Sequence, residues 1–316
     1  MNRLRIFTGN ANRKLACDIA RNLDIEIGDA LVTTFKNGET RVRLEENVRG
    51  CDVFIIQSTS MPVDHHIMEL LLMIDAARRA SASRITAVIP YYGYAKQEKK
   101  TTGREPISAK LVANIIMQAG ADRVLAVDLH APAIEGFFDI PVDHLRAAPL
   151  LVDYYKRNPL PDAVVVSPDP GGVLRANDFR FRLGVPLAII AKQRPRPDTA
   201  EVLDMVGDVQ GKNAIIVDDL IGTGGTLAKA ADMLLSRGAK SVHAVATHAA
   251  FVGSPAAEEV KKILEGNTIE KIVVTDTIYI PPEEVDSKIE IVSVASLLAE
   301  AIMRIHKDLS VSELFR

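Results

Sequence analysis

The chain has 316 residues, 47% of them hydrophobic and 25% charged, with a formal net charge of -3 at pH 7. That length suits about two domains of ordinary size, and the slightly negative balance lacks the electrostatic signature of a general nucleic-acid binder. No charge-free apolar run is long enough to span a bilayer and MNRLRIFTGN lacks a signal-peptide core, so a cytoplasmic protein with neither membrane nor nucleic-acid partners is expected. Cys17 and Cys51 have neither metal-ligand spacing nor a disulfide framework and are expected to be reduced, mostly buried thiols.

Arg3 to Thr8 reads as a short strand and Arg13 to Asn22 as a helix. In FKNGETRVRL, Asn37-Gly38 marks a turn, and Val42 and Leu44 alternate as in a strand. The turn with Phe35, Asn37 and Glu39 suits either a plain hairpin or a ligand-holding loop. Asp52 to Gln57 is a buried-strand run. Asp64 to Ala80 is an amphipathic helix with Ile67, Leu70, Leu71, Ile74 and Ala77 on one face, and Arg84 to Pro90 is the next strand. This β-α-β succession predicts a parallel sheet with right-handed crossovers. His65 and His66, at the helix start, are expected to be surface or capping residues.

The loop from Pro90 to Pro106 contains Tyr91, Tyr92 and Tyr94, half of the chain's six tyrosines, beside a lysine-rich run. Loops at the carboxyl ends of parallel strands are where α/β folds place ligands. Aromatic rings there can stack on a base, and Lys96 and Gln97 can bond phosphate or base edges. A solvated basic loop at a subunit contact is a compatible, plainer reading. Ile107 to Ala119 is a helix and Arg123 to Val127 a strand. The strand ends in Asp128-Leu129-His130, where the histidine is either satisfied locally or a metal or phosphate ligand. Gly136 to Pro141 is a loop, with Asp143 and His144 beyond it.

Around Arg146 the pattern starts over. Ala148 to Lys156 is a helix and Ala163 to Val166 a strand ending in Ser167-Pro168-Asp169-Pro170-Gly171-Gly172. Val173 to Leu183 is a helix and Pro186 to Ala191 a strand. In Lys192-Gln193-Arg194-Pro195-Arg196-Pro197, the prolines hold the segment out of regular structure, and its cations suit a clamp for charge on transferring phosphoryl oxygens. A basic surface loop is the plainer alternative.

In NAIIVDDLIGTGGTLAKAADMLLSRG, Ala214 to Val217 is a buried strand ended by Asp218 and Asp219. Thr223-Gly224-Gly225-Thr226 is a tight turn and Leu227 to Arg237 a helix. That order aims backbone N–H groups and a helix amino end at one point, which favours a phosphate dianion. The two carboxylates suit ribose hydroxyls or a bound Mg²⁺. Aspartates that only cap the helix are the plainer alternative, against which the pairing with TGGT weighs. Strands at Ser241 to Ala246, Lys271 to Thr275 and Glu290 to Val292, helices at Ser254 to Leu264 and Val294 to His306, and the tail SVSELFR complete the chain.

FKNGE, RGCDVFIIQSTS, IPYYGYAKQEKK, REPISAKL, VDLHAPAIEGFFDIPVDHL, VVSPDPGG, KQRPRP, VDDLIGTGGT and SVSELF, in this order, resemble the blocks of the ribose-phosphate pyrophosphokinase family over essentially the whole length. VDDLIGTGGT is shared with phosphoribosyltransferases; VDLHAP…GFFDIP together with KQRPRP is far more specific. The resemblance implies two tandem type-I phosphoribosyltransferase-like α/β domains, each a parallel sheet flanked by helices. Residues 1–146 would form the ATP-side domain, joined by the tail 304–316, and residues 147–303 the ribose 5-phosphate domain.

The implied reaction transfers the β,γ-diphosphoryl group of Mg-ATP to the C1 hydroxyl of ribose 5-phosphate, giving phosphoribosyl diphosphate and AMP for nucleotide, histidine and tryptophan biosynthesis. Phe35, Asn37, Gly38, Glu39, Lys96 and Gln97 would bind ATP, and His130 and Asp169 would be linked to Mg²⁺. Asp218 and Asp219 would hold the ribose hydroxyls, and Gly222, Thr223, Gly224, Gly225 and Thr226 the 5-phosphate. Lys192 and Arg194 would be the catalytic cations, Arg194 also touching the sugar phosphate. Asn37 stands where the family commonly has Asp, Lys96 where it has Arg, and Gly222 where many members have Asp.

REPI and the SVSELF tail resemble the class that forms hexamers, requires inorganic phosphate and is inhibited by ADP. Arg49, Ser81, Arg104, Ser108, Ser310, Ser312 and Phe315 would then line a regulatory anion site between subunits; Glu135 and His144 differ there from some regulated members. Two rivals remain. A phosphoribosyltransferase would not explain YYGYAKQ or KQRPRP, and a non-catalytic associated subunit would not need His130, Asp169, Lys192 and Arg194.

Overall fold

The computed structural model describes residues 3–193, 202–266 and 268–315. Contacts divide the chain into two units, Met1–Arg146 with Thr277–Tyr279 and Ser293–Arg316, and Ala147–Asp276 with Ile280–Val292.

In the first unit, β1 (Leu4–Thr8), β4 (Asp52–Ile56), β5 (Arg84–Ile89), β6 (Arg123–Val127) and β7 (Val142–Leu145) form a parallel sheet in that order, and β2 (Ala30–Thr34) and β3 (Thr40–Leu44) form a separate antiparallel hairpin. The strands read as continuous apolar runs because both faces are covered. Phe7, Val53, Ile55, Ile85, Ala87, Ile89, Val124 and Ala126 join α2 (Val63–Arg79) and α3 (Ser108–Ala119) in one core. The alternate residues Ile6, Phe54, Ile56, Val88, Leu125 and Val127 are equally buried on the other face.

Right-handed crossovers from β4 to β5 and from β5 to β6 put α2 and α3 on the same side of the sheet, so the second face needs cover from other elements. It comes from α1 (Arg13–Asn22), packed against α8 (Ala295–His306) from the far end of the chain. The sequence placed residues up to 303 in the second half, whereas α8 groups with the first unit. β7 lies just beyond the expected loop Gly136 to Pro141 and carries no strand signal in the sequence, since Asp143 and His144 hide its pattern; Arg123 Nη1 meets Asp143 Oδ2 at 2.6 Å across the β6–β7 pair. Cys51 is buried as expected, but Cys17 lies on the exposed side of α1, and both are free thiols. His66 is not a surface residue: it is buried, its Nδ1 2.8 Å from Ser60 O.

In the second unit, β8 (Ala163–Ser167), β9 (Leu187–Gln193), β10 (Val202–Val206), β11 (Asn213–Leu220), β12 (Ser241–His248), β13 (Lys271–Thr275) and β14 (Ile289–Val292) form one sheet. Its order is β10-β9-β8-β11-β12-β13-β14, parallel except for β10 against β9. The connecting helices are α4 (Ala148–Arg157), α5 (Val173–Leu183), α6 (Gly225–Ser236) and α7 (Ala257–Glu265). The chain leaves β8 in one direction and resumes at β11 in the other, a topological switch point at which the carboxyl ends of both strands border a crevice. Among the described residues no helix is long and apolar enough to cross a membrane.

A charge cluster fastens α8 to the first sheet. The Asp52 side chain, 3% exposed, receives Arg84 Nε at 2.8 Å and Nη2 at 2.6 Å and stands 2.8 Å from His306 Nδ1, while Arg84 also bonds Ile305 O at 2.8 Å and Asp308 at 3.1 Å. Removing one partner of a buried pair strands the other charge, at a cost of about 3 kcal/mol. Arg84→Ala should therefore lower stability by about 3 kcal/mol in urea denaturation and speed amide exchange in β4 and α8. Unaltered exchange in α8 would contradict this anchoring.

Candidate active site

At the switch point of the second unit the expected motifs meet. β11 does not stop before Asp218 and Asp219, as the sequence suggested, but continues to Leu220, because pairing with β12 persists through Asp218↔Ala246 and Leu220↔His248. Asp219 is buried, while the Asp218 side chain is one-third exposed. Both converge on a residue that no motif indicated: Arg175 of α5, whose Nη1 lies 3.0 Å from Asp218 Oδ1 and 3.3 Å from Asp219 Oδ1. The Asp219 N–H also donates to Asp218 Oδ1 at 2.8 Å. Burial, with the adjoining Asp219 carboxylate, pushes Asp218 up to about 7 against the opposing pull of Arg175.

The turn after β11 is tightly specified. Gly224 has φ 76°, a left-handed conformation that favours glycine, and a Cβ there would lie 2.7 Å from Ile263 Cδ1 and 3.1 Å from Val260 Cγ2 of α7. α6 begins at Gly225, earlier than expected, and has no side-chain hydrogen bond at its cap. Thr223, Gly225 and Thr226 are exposed and Gly222 is half-buried. The amino end of α6 thus offers backbone donors and the positive end of the helix dipole to an anion.

On the neighbouring strand, Ser167 Oγ donates to Asp169 O at 2.7 Å and Gly172 N donates to Asp169 Oδ1 at 2.9 Å, which closes the 3₁₀ turn Pro170–Gly172 and fixes a half-buried carboxylate. Lys192 stands on β9 opposite Leu203 of β10, where the sequence expected irregular backbone; the antiparallel return of β10 extends the strand past Ala191. Arg194, with Pro195, Arg196 and Pro197, lies outside the described residues, as does the Lys192 side chain.

In the first unit, the turn Phe35–Glu39 links β2 to β3. Phe35 N donates to Glu39 O at 2.8 Å, Gly38 has φ 91°, and Asn37 Oδ1 accepts from Glu39 N at 3.2 Å. Phe35 is exposed, with the Arg41 guanidinium 5.3 Å from its ring centroid, so a flat aromatic surface backed by a cation is on offer. The hairpin is anchored by Asn10, whose Nδ2 reaches Val32 O at 3.2 Å and Glu69 Oε1 at 2.6 Å; Glu69 is fully buried and also receives Gln57 Nε2 at 2.6 Å.

The tyrosines of the Pro90–Pro106 loop do not all suit stacking on a base. Tyr92 is buried and bonds Ala109 O at 2.9 Å, and Tyr94 OH lies 2.5 Å from Asp64 Oδ1. Tyr92 and Tyr94 pin the loop so that Lys96 and Gln97 remain exposed. Ser108 Oγ donates to Gln97 Oε1 at 2.6 Å, joining a regulatory candidate to a nucleotide candidate.

His130 is half-buried at the end of β6, after Asp128 at φ 40°, a conformation rare outside glycine and one found where a site imposes it. His144 Nε2 accepts the Leu129 N–H at 2.7 Å and lies 2.8 Å from Arg146 Nη1, so its proton sits on Nδ1, 2.5 Å from Glu135 Oε1. Burial and Arg146 lower the His144 pKa, against Glu135. Glu135 and His144 thereby brace the backbone that carries His130. Among the described residues no group of three or more His, Cys, Asp or Glu could hold a metal ion.

The regulatory candidates separate into two places. Gly50 N bonds Ser81 O at 2.8 Å, putting Arg49 and Ser81 together at the amino ends of β4 and β5. The Arg84–Asp308 pair brings the tail to the same end, where Ser310 Oγ meets Ser312 Oγ at 2.7 Å. Arg104, at φ 68°, and Ser108 belong to the carboxyl end of the sheet. The Phe315 side chain lies outside the described residues.

Residues 4–120 match the N-terminal domain of ribose phosphate pyrophosphokinase, and residues 191–316 the phosphoribosyl synthetase-associated domain. The chain is 54% identical over 315 residues to the ribose-phosphate pyrophosphokinase of Caldanaerobacter subterraneus subsp. tengcongensis, covering 99% of this chain and 98% of the relative. It is 52% identical over 312 residues to that of Bacillus subtilis, covering 99% and 97%. The crystal structure of phosphoribosylpyrophosphate synthetase from Mycobacterium smegmatis superposes with a TM-score of 0.90 at 43% identity, covering 97% of this chain and 100% of that one. That likeness extends to the two-domain α/β fold with parallel sheets flanked by helices. The chain belongs to the ribose-phosphate pyrophosphokinase family.

Proposed function

We propose that this protein is a ribose-phosphate diphosphokinase that moves the β,γ-diphosphoryl group of ATP to the C1 hydroxyl of ribose 5-phosphate, releasing AMP. The observation that carries the reading is the second unit's switch point, where a carboxylate pair and the uncapped amino end of α6 stand on one strand–turn–helix segment. A sugar phosphate has the matching parts: vicinal hydroxyls to donate to Asp218 and Asp219, and a dianion to accept from Gly222–Thr226. ATP would lie on the first unit, its base against Phe35 and its polar edges and phosphates on Asn37, Gly38, Glu39, Lys96 and Gln97. The first unit, residues 1–146 with the carboxyl-terminal segment from Ser293, would form the ATP-side domain.

The chemistry asks for positioning and charge neutralisation. The C1 oxygen attacks the β-phosphorus in line as the bond to AMP breaks, and charge spreads over the non-bridging oxygens. Lys192 and Arg194 would meet that charge, and Asp169 and His130 would stand by the magnesium of Mg-ATP. The site residues fit magnesium, which takes one or two carboxylates with water and substrate phosphates rather than a protein cage; when bound it shields the phosphoryl oxygens. Asp169 suits this because the Gly172 N–H already fixes its direction.

Inorganic phosphate as activator, ADP as inhibitor, a hexamer and a cytoplasmic location belong to the same proposal. The two groups of regulatory candidates occupy opposite ends of one sheet, and a shared anion site would draw one group from each of two subunits.

The reading predicts AMP release from ATP that depends on ribose 5-phosphate, rises with inorganic phosphate and falls with ADP. Release of pyrophosphate from phosphoribosyl diphosphate on addition of a base would instead identify a phosphoribosyltransferase, and inactivity alone with modulation of a partner would identify an associated subunit. Lys192→Ala should lose roughly 10³-fold or more in turnover while ribose 5-phosphate still binds in calorimetry; near-normal turnover would remove Lys192 from the chemistry.

Acidity gives a third expectation. Asp218 ionises near pH 7 in the folded protein, so ribose 5-phosphate should bind more tightly as pH rises through neutrality. Asp218→Asn should leave only the slope from the ligand's own phosphate. Because the folded-state value lies above the unfolded one, stability from this group is present in acid and declines as pH rises through about 7.

A further inference from the structure

We propose that Arg175 is a positioning residue that presents Asp218 and Asp219 as a paired acceptor for the ribose diol, and so sets sugar affinity without touching the transferred group. The inference rests on ribose 5-phosphate occupying the switch-point crevice. Arg175 comes from the first turn of α5, on the opposite side of the crevice from the strand carrying the carboxylates, and its Nη1 spans both at 3.0 and 3.3 Å. It passes close to the 3₁₀ turn: a Cβ on Gly172 would lie 3.9 Å from that nitrogen and 3.7 Å from Asp169 Oδ1. At that ordinary van der Waals spacing one cation stands beside the PDPGG turn while it pairs with the VDD strand.

A vicinal diol donates two hydrogen bonds and needs two acceptor carboxylates pointing the same way. Adjacent carboxylates repel, and one relieves the repulsion by taking a proton or turning away. A planar guanidinium between them opposes both outcomes, and an ammonium, a compact point charge, does so less well. Arg175 from α5 reaches the pair, Asp169 stands on the turn after the neighbouring strand β8, and His248 lies on β12, whose backbone pairs with Leu220. Arg175 makes ion pairs with both aspartates.

The test uses the full-length protein with Arg175→Gln and Arg175→Lys, read by steady-state kinetics and by direct calorimetric binding of ribose 5-phosphate. Arg175→Gln should raise the KM for ribose 5-phosphate and weaken its direct binding by roughly tenfold or more, with the KM for ATP within about twofold. Part of the loss should return at about pH 9, where the carboxylates ionise unaided, and Arg175→Lys should fall between Gln and the parent. Because Arg175 acts through the aspartates, Asp218→Asn with Arg175→Gln should lose little more than Asp218→Asn alone. An unchanged KM for ribose 5-phosphate, equal losses for both substrates, or additive losses in the double variant would overturn the proposal. A parent protein that binds no ribose 5-phosphate would overturn the site assignment beneath it. If Arg175→Gln does not fold, Arg175→Lys decides alone: a selective rise in the sugar's KM supports the role, and no rise removes it.

Discussion

Two carboxylates on consecutive residues at the end of a parallel strand repel each other in a half-buried crevice, and a cation that stands with them holds the pair together. In this protein that cation is Arg175, and the second unit is arranged so that it reaches them. The reversal of strand order between β8 and β11 opens the crevice, and the chain after β8 turns tightly enough through Pro170–Gly172 for the first turn of α5 to face β11. Gly224 then lets the chain turn from β11 into α6 against α7. Acceptors for hydroxyls and donors for an anion arise within a few residues, from backbone geometry as much as from side chains.

The first unit solves a different problem. Its strands are added in one direction, so the sheet has no reversal and no crevice of that kind. Its candidate groups are held at the carboxyl edge by side chains that bond backbone: Asn10 on Val32, Tyr92 on Ala109, His144 on Leu129. Each fixes a short loop whose exposed residues are then available. The same one-directional order leaves a face for α8 to cover, and the Asp52–Arg84–His306 cluster draws the carboxyl-terminal tail to the amino ends of β4 and β5. Stability and the placement of Ser310 and Ser312 therefore share one cause.

Much of this was legible in the residues. DVFII, RITAVI and RVLAV announced buried parallel strands, and VDDLIGTGGT announced a strand–turn–helix anion site, because hydrophobic periodicity and glycine placement are local properties. Arg175 was not legible: its role depends on two strands becoming neighbours over forty residues of chain, and nothing in VLRANDFR distinguishes it from the other arginines of α5. β7 was missed because VDHL puts two polar residues in a four-residue strand, and β10, VLDMV, because it follows directly on a proline-rich segment that reads as irregular backbone. The burial of Tyr92 was not legible either, because an aromatic in a loop reads the same whether it faces the core or a ligand. The carboxyl-terminal helix was placed with the wrong half because sequence adjacency is a poor guide where the chain returns to an earlier sheet.

The central claim is that one strand–turn–helix segment accepts a diphosphoryl group on a ribose held by Asp218 and Asp219. Phosphorus NMR of the purified protein with ATP, magnesium and ribose 5-phosphate tests it directly. The account predicts AMP together with a new pair of coupled diphosphate resonances on the sugar, and no net formation of ADP. Accumulation of ADP with a sugar monophosphate resonance in place of the diphosphate pair would mean γ-phosphoryl transfer and would contradict it.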